Sequence, residues 1–166
     1  MSRLVIFLCT GNICRSPLAE GLARWMFPDA GLNFASLGLA APEGYPASEG
    51  SRRFAAGLGV DLGCHRSRPV TPAGLAGGLW VIGMTRSHAA MFRSSWGNGY
   101  SGFVGVLGAP GLDLTGLGHS PDMEEVADPY GGAFEDYDRC GTQIQRLLAG
   151  WEPVFRNLST QAGDWE

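Results

Sequence analysis

Leu4-Val-Ile-Phe-Leu-Cys9-Thr-Gly-Asn-Ile-Cys14-Arg15-Ser16-Pro17 is the stretch that decides the fold. Leu4 to Leu8 is an unbroken apolar run, too short to cross a membrane and suited to a parallel strand covered on both faces. A polar loop follows. Ser16 and Pro17 are residue types favoured at a helix N-cap and first helical position, so the spacing predicts a helix from about Pro17. The loop between strand and helix reads Cys-x5-Arg, with a reactive group at each end.

A loop that closes onto a helix N-terminus aims several backbone N–H groups at one point, and the helix dipole adds partial positive charge there. Gly11 lets the backbone bend inward, and Asn12 tolerates left-handed dihedrals. Such a nest suits a dianionic phosphate and stabilises a thiolate, the nucleophilic form of cysteine. Arg15 falls at the helix N-terminus, where a cation opposes the dipole; an anion removes that conflict. Its guanidinium can fork two phosphate oxygens. A thiolate beneath a phosphate cradle is equipped to attack phosphorus.

The rest of the composition narrows the class. A chain of 166 residues is large enough for one core and one domain, expected over residues 1–160 with a tail at 161–166. A net charge of −4 argues against a nucleic-acid backbone as partner, which needs clustered basic residues. All twelve basic residues are Arg, so only Arg is available for anion binding. No stretch reads as a membrane span or as a secretory leader. Cys9, Cys14, Cys64 and Cys140 do not form the pattern of a secreted disulfide framework, and a working thiolate favours a reducing cytoplasm. His65, His88 and His119 are isolated, with no metal-ligand spacing; neither metal nor cofactor is expected.

Apolar runs near 33–37, 79–83 and 103–107 read as three further strands. Helices are expected at about 17–27, 47–56, 72–76, 86–95 and 133–148, with Thr71 and Thr85 as N-caps. Leu18, Leu22 and Trp25 share one face of the first helix, and Glu20 suits its first turn. Alternating strands and helices predict an α/β fold: a single-domain, doubly wound, parallel four-stranded sheet with helices on both faces. Ligands bind beyond the C-terminal strand ends at the switch point, where Cys9 falls. Residues 108–127 form a long Gly-, Pro- and Asp-rich loop, more often functional than idle. That loop leads to Asp128-Pro129-Tyr130.

Cys9-Thr-Gly-Asn-Ile-Cys-Arg15-Ser-Pro17 resembles the signature loop of the low-molecular-weight protein-tyrosine phosphatases, and Asp128-Pro-Tyr130 resembles their late general-acid motif. The resemblance covers nearly the whole chain. It implies hydrolysis of a phosphate monoester on a protein through a phosphocysteine: Cys9 as nucleophile, Arg15 as phosphate clamp, and Asp128 as acid and then base, in preference to Asp113 and Asp122. Thr10, Gly11, Asn12, Ile13, Cys14 and Ser16 would line the phosphate loop, with Asn12 and Ser16 helping to hold the thiolate. Ser36 and His65 match a polar network beneath that loop. Tyr130 and Tyr45 would wall the pocket on opposite sides. Cys14 matches a cysteine that, in some members, forms a reversible disulfide with the nucleophile.

Phosphotyrosine is the expected substrate. One bacterial branch of the family acts on protein phosphoarginine, and Pro46-Ala-Ser, Met84-Thr85 and Asp128-Pro-Tyr-Gly-Gly resemble it. That branch tends to carry Thr where this chain has Ile13, and an Ile side chain suits a flat ring. The partner expected upstream is a tyrosine kinase or an arginine kinase. An arsenate reductase on this scaffold would need two further, adjacent cysteines, and Cys64 and Cys140 are far apart in sequence. A phosphate-binding module without turnover would not need Cys9, Arg15 and Asp128 together.

Overall fold

The computed structural model describes residues 3–115 and 121–161; His119 and the tail residues 162–166 lie outside the described residues. Four parallel strands, β1 Leu4–Cys9, β2 Asn33–Gly38, β3 Gly78–Gly83 and β4 Phe103–Val106, form one sheet in the order β2-β1-β3-β4. The helices between and after them are α1 Arg15–Met26, α2 Glu49–Gly57, the short α3 Pro72–Leu75, α4 Arg86–Trp96, α5 Phe134–Gly150 and α6 Glu152–Thr160. Among the described residues no helix is long and apolar enough to cross a membrane.

The pleat of β1 explains its apolar run. Val5, Phe7 and Cys9 face one layer, with Leu18, Leu22, Ile144, Leu148, Trp151 and Phe155. Ile6 and Leu8 face the other, with Val81, Ala89, Phe92, Val104 and Val106. α1, α2 and α5 pack together on the first face, and α4 covers the second. After β1 the chain builds β2 on one side and then crosses to β3 on the other. The C-terminal end of β1 is therefore the switch point, and Cys9 occupies it.

Several details differ from the sequence reading. α1 starts at Arg15 with Cys14 at the N-cap, so Ser16 and Pro17 are its second and third residues. Ser16 does not cap because its hydroxyl is engaged by Cys9 and Asn12. Glu20 lies beyond the first turn and is buried, 3.9 Å from His65 Nδ1 and 3.6 Å from Arg24. Trp25 is 45% exposed: α1 ends one residue later, and its last turn stands clear of the core.

α6 was not expected. The sequence pattern ends the last helix near Leu148, yet α5 runs to Gly150 and Trp151 continues the chain into a second helix with Pro153 in its first turn. Trp151 donates its indole N–H to the Leu107 carbonyl at 2.9 Å, with no part of the residue exposed. Phe155 stacks on Trp151 at 5.7 Å and meets Phe27 and Phe34 edge-on, each at 5.4 Å. Phe155→Ala is expected to destabilise the fold by about 3–5 kcal/mol, as cavity-forming aromatic truncations do. Urea unfolding, with the midpoint falling at unchanged slope, measures it.

Candidate active site

Asn12 is the one non-glycine residue with positive φ, 55°, among the described residues. The turn it makes brings its own N–H back to the Cys9 thiol at 3.3 Å. Gly11, which was expected to bend the loop, is not among the positive-φ glycines. Asn12 has no exposed surface, and every polar atom it carries is used. Its side-chain amide donates to Ser16 Oγ at 2.8 Å and Ser36 Oγ at 2.9 Å. Its side-chain oxygen accepts the Arg68 N–H at 2.9 Å, and its backbone carbonyl lies 2.7 Å from His65 Nε2. Ser16 Oγ in turn lies 2.9 Å from Cys9 Sγ. Ser36 and His65, from β2 and a distant connector, thus meet beneath the loop.

Gly38 makes room for this turn. A Cβ on it would come within 2.7 Å of the Thr10 carbonyl and 3.0 Å of Asn12 Cβ. The carbonyls of Cys9 and Thr10 accept the N–H groups of Leu39 and Ala40, each at 3.0 Å. In a trans peptide the N–H opposes the C=O, so the Thr10 and Gly11 amides point away from that edge. The amides of Thr10, Gly11, Ile13, Cys14 and Arg15 donate to no acceptor among the described residues. With α1 behind them they form an anion nest.

Arg15 is buried, with 7% of its side chain exposed. Nη1 donates to the Val126 carbonyl at 3.0 Å, Nη2 lies 3.6 Å from Asp128 Oδ2, and Nε is buried without a partner. A buried guanidinium nitrogen left open beside open amides has the chemistry to donate to an anion's oxygen. The Val126 N–H donates to the Met84 carbonyl at 3.0 Å, which seats the segment before Asp128 just beyond the β3 end. Asp128 keeps 53% of its side chain in solvent, and its Oδ1 accepts the Tyr130 N–H at 3.1 Å. Cys9 to Arg15, Asp128 and Tyr130 enclose a cavity of about 230 Å³.

The other expected residues fall as follows. Tyr130, 69% exposed, stands at the cavity rim. Tyr45, 59% exposed, does not line the cavity: its backbone pairs with Ser67, which holds the 42–45 turn elsewhere. Asp113 spends its carboxylate on the Val104 and Thr115 amides, and Asp122 sits in solvent beside Arg86. Cys14 is buried 3.9 Å from the Tyr137 hydroxyl, and burial pushes its thiol up from the usual value. Burial pushes Cys140, on α5, to about 12, whereas Cys64 is exposed. Among the described residues no group of acidic, His or Cys side chains is arranged to hold a metal ion. His88 was missed. It is buried on α4 with Nε2 3.1 Å from Thr10 Oγ1, and a solitary His carries no periodic signal in sequence.

Comparison with known proteins agrees with this geometry. The family model for low molecular weight phosphotyrosine protein phosphatases matches residues 4–161. The chain is 29% identical over 160 residues to a probable low molecular weight protein-tyrosine-phosphatase, EpsP, of Ralstonia nicotianae, covering 95% of this chain and 99% of that one. It is 31% identical over 148 residues to the protein-arginine-phosphatase of Bacillus subtilis, covering 87% and 91%. The crystal structure of the low molecular weight protein tyrosine phosphatase from T. tengcongensis superposes with a TM-score of 0.77 at 29% identity, over 92% of this chain and 99% of that one. Both ends of the cavity, the Cys9 loop and the Asp128 loop, lie inside the matched span, and the chain belongs to the low molecular weight protein-tyrosine phosphatase family.

Proposed function

We propose that this chain hydrolyses phosphotyrosine on proteins, with Cys9 as nucleophile, Arg15 as phosphate clamp and Asp128 as general acid and base. The observation that carries the reading is the Cys9 thiol, touched by the Asn12 amide and the Ser16 hydroxyl, at the centre of unpaired amides and an unpaired Arg15 Nε. The phosphoryl group seats on that nest, where its three outer oxygens take the amides and the guanidinium. Cys9 Sγ attacks phosphorus in line, and the P–O bond to the substrate breaks. Asp128 hands its proton to the departing oxygen. The resulting carboxylate then takes a proton from water as that water attacks the phosphocysteine, which frees inorganic phosphate and returns the thiolate. The same donors hold the charge in both steps without rearrangement.

Asn12, Ser16, Ser36 and His65 act through Cys9 and the loop backbone and are positioning residues in this proposal. Thr10, Gly11, Ile13 and Cys14 wall the phosphate. Ile13 and Tyr130 line the cavity with apolar surface, which supports an aryl phosphate over a guanidinium that needs hydrogen-bond partners. The 31% identity to an arginine phosphatase supports phosphoarginine as the second reading. A tyrosine or arginine kinase would supply the substrate. Cys9 must stay reduced to act, so the proposed compartment is the cytoplasm.

Cys9→Ser is expected to abolish turnover of p-nitrophenyl phosphate while leaving the fold intact by circular dichroism. Asp128→Asn should lower kcat by roughly 10²–10⁴-fold, the range for a lost general acid, in stopped-flow or steady-state assays. Phosphotyrosyl peptides should exceed phosphoarginyl and phosphoseryl peptides in kcat/KM; a clear preference for phosphoarginine would replace the first substrate by the second.

A further inference from the structure

His88 is the only polar residue among those α4 buries. It is 4% exposed, Nε2 lies 3.1 Å from Thr10 Oγ1, and Nδ1 has no partner among the described residues. Thr85, the N-cap of α4, accepts its backbone N–H at 3.2 Å. Gly83 allows the strand-to-helix turn to close on it: a Cβ there would come within 3.0 Å of His88 Cβ. A half-satisfied imidazole is a costly way to fill an apolar layer that already holds Ala89 and Phe92. The cost makes sense where the other nitrogen has a task.

That task is visible at Thr10. Its carbonyl and that of Cys9 are tied to Ala40 and Leu39 on one edge. Its side chain is tied to His88 on the opposite edge. So held, Thr10 lines the cavity beside Gly11, and the amides of both have no acceptor among the described residues. We propose that His88 is a positioning residue for the phosphate cradle, holding the Thr10 hydroxyl so that the first amides after the nucleophile stay aimed at the bound anion. This inference rests on the reading of the Cys9 loop as a phosphate site.

Charge agrees with geometry. Burial, with Arg15 adding to it, holds His88 down at about 4, while Asp128 and Glu125 pull weakly the other way. The ring is therefore neutral at neutral pH. It anchors Thr10 without competing with Arg15 for the anion, and the anchor does not switch on or off within the working range.

A double-mutant cycle tests this. Thr10→Val, His88→Leu and the pair are compared with wild type for inorganic phosphate binding by calorimetry and for p-nitrophenyl phosphate kinetics. Each single change is expected to weaken phosphate binding and kcat/KM on the order of tenfold, with the pair no worse than the worse single, because both remove one contact. His88→Gln, whose amide nitrogen falls near the position of Nε2, should recover most of the loss. The deficit should be equal at about pH 5.5 and about pH 8, since the ring stays neutral across that interval. Additive losses, or phosphate binding unchanged in Thr10→Val, overturn the proposal. If His88→Leu melts far below wild type, the Thr10→Val and His88→Gln proteins decide alone. A wild-type protein that binds phosphate but turns over no phosphomonoester would defeat the proposed function and leave the positioning claim standing on binding.

Discussion

One buried amide side chain holds the site together. Asn12 turns the backbone into the left-handed region and then satisfies that turn from within: its carboxamide spans β2, α1 and the 65–68 connector through Ser36, Ser16 and Arg68. Buried polar networks are stable only when every member is paired, and this one is. The result is a loop whose internal hydrogen bonds are complete while its outward amides are open. Rigidity and unmet donors in the same short loop are what preorganised electrostatic catalysis needs.

The sheet supplies the rest of the frame. β1 sits between β2 and β3, so its C-terminal end is held from both sides before the loop begins. Gly38 on one neighbour and Gly83 on the other allow close approach there. Asp128 arrives from far along the chain, and its loop is held at Val126 from both sides, by the amide to Met84 and by the carbonyl to Arg15. Arg15 Nη1 therefore ties the Asp128 loop to α1 while Nε stays buried and unpaired.

Much of this is legible in the sequence. The apolar run of β1 and the Cys-x5-Arg spacing after it give strand, loop and helix, and the alternation of further runs gives the parallel sheet. What failed has physical reasons. Ser16 looks like an N-cap, but its hydroxyl is worth more against a thiol and an amide in the interior, so Cys14 takes the cap. Tyr45 is an aromatic in a loop, where no periodicity says which way it faces. α6 hides behind a glycine and a proline that usually mark an ending; the buried Trp151 and Phe155 override them. His88 sits alone in sequence, and its meaning comes only from Thr10, seventy-eight positions earlier.

The contact between Arg15 and the Val126 carbonyl also bears on how the protein is made. Synthesis delivers Cys9 and its loop first, and the stretch carrying Asp128 much later, just ahead of the α5 helix that packs on α1. A growing chain that has reached β4 carries Cys9, Asn12 and Arg15 but not Val126, so Arg15 Nη1 still lacks the carbonyl that accepts it. Only when the stretch after β4 is made can Val126 meet Arg15 and Asp128 join the Cys9 loop around one cavity.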